Sequence, residues 1–104
     1  MRNMADYEKN AVVKKLTKDV DQRLEERIIG LGLLPLGKGG ANEYLERFGR
    51  GISAAKCAAL AVVCVRRADK NETLCGMNEI DTRKNLIEFA ERFDSEAVRL
   101  GGLP

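Results

Sequence analysis

Apolar residues recur at helical spacing in three stretches of this chain, with polar residues filling the opposite side in two of them. Val13, Leu16, Val20, Leu24, Ile28 and Leu31 follow one another at steps of three or four, which sets them on one stripe of a helix. Lys14, Lys15, Lys18, Asp19, Gln22, Arg23, Glu25 and Glu26 take the other side. The pattern predicts a helix over residues 6–29, closed by Gly30 and Gly32 and kept from continuing by Pro35. A last helix is predicted over residues 79–100. Its stripe is Leu86, Ile87, Ala90, Phe93, Ala97 and Leu100, Phe89 stands at the margin, and Asn78 caps its start.

The middle stretch, residues 53–69, differs in kind. Between Ala58 and Val65 it is apolar on every side, and a helix of that composition is buried all round. Ser53 is its expected N-cap, and Arg66, Arg67 and Lys70 suit the negative end of its dipole. Before it, Asn42 is the expected cap of a short helix carrying Tyr44, Leu45 and Phe48, with a break at Gly49 and Gly51. No stretch alternates as a strand does. The fold class is therefore all-α: a small bundle of three main helices plus a short one, a single domain over residues 1–104 with 1–5 and 101–104 frayed.

Helix lengths sharpen this picture. The first and last helices would reach about 36 and 33 Å and the middle one about 24 Å, in a domain about 34 Å across. Three helices leave the middle one short of cover. The expectation is a homodimer, seamed by Ala58, Ala61, Val62 and Val65, or capture of a partner's helix. Tyr44, Leu45 and Phe48 offer the alternative of cover from within one chain.

Composition removes whole classes of function. The 104 residues are 44% hydrophobic and 33% charged, with a net charge of +2 and no histidine. The usual general base, metal ligand and pH switch is thus missing. No apolar run approaches the length of a membrane span, and residues 1–8 carry no signal-peptide pattern. Three cysteines, Cys57, Cys64 and Cys75, form no pairing framework and fit a reducing, cytoplasmic setting. Cys57 and Cys64, seven apart, read as buried apolar thiols and not as metal ligands.

The motifs lead to binding and away from catalysis. Residues 32–39 come one hydroxyl short of a phosphate-binding P-loop, because Gly39 stands where Ser or Thr must hold magnesium, and a helix precedes them where a strand is needed. Tyr44 to Arg67 has a helix-turn-helix outline, but alanine and valine occupy the readout positions. Glu88, Glu91 and Asp94 are the wet side of a helix. No enzyme, metal, cofactor, membrane or small-molecule substrate is expected.

The leucine-rich loop, with Leu33, Leu34 and Leu36 beside Tyr44 and Phe48, reads as an apolar anchor for a protein target, and equally as core cover. The leading expectation is a small non-catalytic regulator of bacterial, plasmid or phage type, an inhibitor, anti-activator or adaptor that occludes a partner's surface. The alternative is a nucleic-acid-binding regulator that grips phosphates with Lys14, Lys15, Lys18, Arg66 and Arg67.

Overall fold

The computed structural model describes residues 3–103, and among these there are helices and no strands. Helix α1 spans Met4–Lys9, α2 Ala11–Arg23, α3 Lys38–Phe48, α4 Ala54–Ala68 and α5 Glu79–Arg99. A π-helical turn, Leu24–Ile29, continues α2, and a 3-10 turn, Leu34–Leu36, precedes α3.

Helix α4 is the axis of the molecule. Residues 57–64 and Ala68 are all buried. Helices α2 and α5 pack along it from either side, and α1 lies against it as well. Phe89 and Phe93 of α5 meet edge to face, with centroids 6.0 Å apart, and Tyr44 of α3 meets Phe93 in the same way at 5.5 Å. Phe89 is fully buried, more central than its place at the edge of the stripe suggests.

The predicted first helix is in fact two, and the difference explains how a single chain covers α4. Asn10 is extended, with φ −74° and ψ 125°, and its side chain accepts from the N–H groups of Val12 and Val13. An asparagine that caps a new helix ends the old one. Helix α1 can therefore turn back over α4 and bury Tyr7, whose hydroxyl donates to Asp94 of α5 at 2.5 Å. Burial and that carboxylate push the Tyr7 hydroxyl up to about 12. Ala58, Ala61 and Val62, expected at a dimer seam, lie in the core of one chain, with Val65 half-buried beside them. Helix α4 needs no second copy to be covered. Met4 and Ala5 lie within α1 and Leu103 packs against the core, where fraying was expected; residues 1, 2 and 104 lie outside the described residues.

Other boundaries follow the sequence closely. The π turn ends in a Schellman motif: Gly32, at φ +69°, donates to the Ile29 carbonyl at 3.0 Å, and Leu33 donates to Ile28 at 2.9 Å. Ser53 caps α4 through the Lys56 N–H, and Asn78 caps α5 through the Asp81 N–H. Helix α3 starts four residues before the expected cap. Asn42 lies inside it and accepts from Arg92 at 2.6 Å. Gly40 makes the early start possible, since a Cβ there would stand 2.1 Å from the Leu33 carbonyl oxygen and 2.7 Å from the Phe89 ring.

Candidate functional site: a cationic cleft between α2 and α4

The leucine-rich loop is largely structural. Leu33 and Leu34 are 3% and 0% exposed and Tyr44 is buried, so these three cover the core and are not free to anchor a partner. Leu31 and Leu36, at 48% and 57%, remain outside. Phe48 is half-buried, its ring 5.2 Å from that of Tyr44 and covered by the Arg27 guanidinium at 4.6 Å.

The basic residues have the opposite fate. Lys18 of α2 and Arg66 and Arg67 of α4 line, with Thr17, Asp21, Val63 and Lys70, a cleft of about 290 Å³. The helical repeat brings them there. Val63, Arg66, Arg67 and Lys70 fall at i, i+3, i+4 and i+7, one stripe of α4 and its C-terminal end. Thr17, Lys18 and Asp21 share one side of α2. Val63, buried, forms the apolar floor. Lys14 stands one turn before Lys18 on that side, while Lys14 and Lys15 are exposed outside the lining.

The four cations of the cleft are of two sorts. Arg67, whose side chain is 13% exposed, donates from Nε to Glu72 and from a terminal nitrogen to Glu25 of the π turn at 2.6 Å. These hydrogen bonds raise its already high pKa further, so Arg67 is a fixed part of the wall. Among the described residues, Lys18, Arg66 and Lys70 have no carboxylate within 4.0 Å, and neither does Asp21 have a cation. Thr17 donates its hydroxyl to the Lys14 carbonyl at 2.8 Å, which leaves its oxygen able to accept. The cleft thus presents three unpaired cations, one unpaired carboxylate and one hydroxyl acceptor over a small apolar floor. Such a set has the chemistry to bind an anion.

Thr17 and Asp21 were not singled out in the sequence, and Lys70 was read only as a complement to the helix dipole. Its place four beyond Arg66 sets it on the cationic stripe. Asp21 looks like any solvated helix charge until α2 and α4 are placed together.

Other clusters offer less chemistry. Among the described residues no three of Cys, Asp and Glu gather as a metal site requires. Burial pushes the Cys57 and Cys64 thiols up to about 12, so they are neutral fillers of the core. Cys75 is exposed, with its Sγ 3.8 Å from the Ile29 carbonyl oxygen, and burial against that loop raises its pKa too. The buried middle of α4 has no face with which to enter a DNA groove. No helix among the described residues is long and apolar enough to cross a membrane. In comparisons with known proteins, no family model, no curated protein and no solved structure matches this chain.

Proposed function

We propose that the protein is a small non-catalytic regulator that grips the phosphate backbone of a nucleic acid in the α2/α4 cleft. The observation that carries this reading is the convergence of Lys18, Arg66 and Lys70, all without ion-pair partners, beside an Arg67 fixed by its own carboxylates. Charge is also unevenly spread. Helix α4 has three basic residues and no acidic one, whereas α5 has six acidic and four basic, so an anion approaching the α2/α4 side meets less repulsion. Tyr7, Tyr44, Phe89 and Phe93 are buried, and the half-buried Phe48 ring is covered by Arg27, so unstacked bases find little aromatic surface on which to stack. A duplex backbone is the form of nucleic acid that this surface suits.

The test is a binding titration with a duplex, comparing the native protein with an Arg66→Glu/Lys70→Glu variant. Both residues are exposed, so the fold should persist. Loss of binding with an unchanged helical spectrum is expected. Equal binding by the two proteins would refute the reading.

A second reading keeps the protein-binding role, supported by the exposure of Leu31 and Leu36 on either side of the buried Leu33–Leu34 pair. It requires a Leu31→Ser/Leu36→Ser variant to lose a partner that the charge-reversed variant retains.

A further inference from the structure

The cleft holds more than a phosphate needs. A bare phosphate is served by donors alone, and a carboxylate at its edge repels it. Yet Asp21 lines the same cleft as Lys18, Arg66 and Lys70, unpaired with any of them within 4.0 Å, and the Thr17 oxygen lies one helical turn away on the same side of α2. Three free donors and two free acceptors over a floor of one valine complement a ligand that offers anionic oxygens and a hydroxyl donor within one small unit. The volume, about 290 Å³, is at the low end for ligand sites, fitting a single sugar-phosphate.

Resting on the reading of the cleft as a backbone site, we infer that it selects ribose over deoxyribose: the ribose 2′-hydroxyl donates to the Asp21 carboxylate while the adjoining phosphate takes Lys18, Arg66 and Lys70. The 2′-hydroxyl is the group by which proteins tell RNA from DNA, and a carboxylate is the acceptor used for it in dinucleotide sites. Arg67, occupied by Glu25 and Glu72, is the wall against which this pair is set.

The experiment titrates the full chain with RNA and DNA duplexes of one sequence, followed by anisotropy, for the native protein, Asp21→Ala and Asp21→Asn. The native protein should prefer RNA by about tenfold, as for a hydrogen bond to a charged group. Asp21→Ala should bring the ratio close to one through weaker RNA binding, with DNA binding unchanged or tighter because a negative charge is gone. Asp21→Asn, which keeps an acceptor oxygen, should retain part of the preference. Asp21 is exposed, and a thermal melt of each variant confirms folding.

Equal affinity of the native protein for both duplexes, or a preference that survives Asp21→Ala, overturns the inference. The backbone reading stands in that case if Arg66→Glu/Lys70→Glu still abolishes binding, and it falls too if neither duplex binds. Adenosine monophosphate serves as competitor for the source of the ribose-phosphate. Its failure to displace RNA supports the strand, and displacement at lower concentration than unlabelled duplex assigns the site to a free ribonucleotide and overturns the strand.

Discussion

Two arginine–carboxylate triads in this molecule are mirror images, and they serve different ends. In α5, Glu96 (side chain 7% exposed) is held by Arg92 at 3.0 Å and by Arg99. At the cleft the roles are exchanged, and Arg67 is held by Glu25 and Glu72. The first triad carries a net positive charge and the second a net negative one. The two guanidiniums beside Glu96, Arg99 foremost, hold its carboxyl down at about 2. Arg92 also donates to Asn42, so the first triad pins α3 to α5, and its charges are paired with one another even where Arg99 reaches solvent. The second ties the π turn and the segment after α4 to the end of α4, and three further cations next to it stay unpaired. Satisfied charge builds structure; unsatisfied charge, concentrated in one cleft, is what remains for a ligand.

Substitutions should separate the two. The largest effect is expected for Arg66→Glu/Lys70→Glu, which should weaken duplex binding on the order of a hundredfold with no loss of stability in a denaturant titration. Glu96→Gln should do the reverse, costing about 2 kcal/mol in that titration and leaving duplex affinity as it was. Acid unfolding sharpens the same point. Glu96 titrates at about 2 when folded and near its ordinary 4.5 when unfolded, so its contribution is complete above 4.5 and is lost as pH falls from there toward 2. A stability–pH curve should show this slope, and Glu96→Gln should flatten it. The smallest effect belongs to Arg67→Gln, about 1 kcal/mol and about threefold in binding, as freed Glu25 and Glu72 repel the ligand. A hundredfold loss from Arg67→Gln would mean that Arg67 is a ligand contact and the contrast between the triads is false.

The sequence announced most of the helices because their signals are local. The α4 and α5 caps, Ser53 and Asn78, and the Gly32 stop each act within a few residues. It misled where one residue had two meanings. Asn10 looks like a polar position in a long amphipathic stripe, and it is a cap that makes two helices of one. With one helix where there are two, α4 looked short of cover, and Ala58, Ala61 and Val62, which one chain buries, were left over for a seam. The leucine loop had two readings of equal standing, and the choice between them lies in tertiary packing, such as the close approach of Gly40 to Leu33 and Phe89. The cleft was half legible. Lys18, Arg66 and Arg67 were marked for phosphate as basic runs, but their convergence depends on α2 meeting α4, which no local pattern encodes. The same holds for Glu25 and Glu72, far from Arg67 in one case and in a connecting loop in the other.

The salt dependence of duplex binding tests the central claim most directly. With Lys18, Arg66 and Lys70 each displacing counterions from one phosphate, log affinity should fall against log salt concentration with a slope of about −2.7, and Arg66→Glu/Lys70→Glu should flatten that slope as it weakens binding. Affinity that hardly changes with salt, or a slope that the variant preserves, would contradict it.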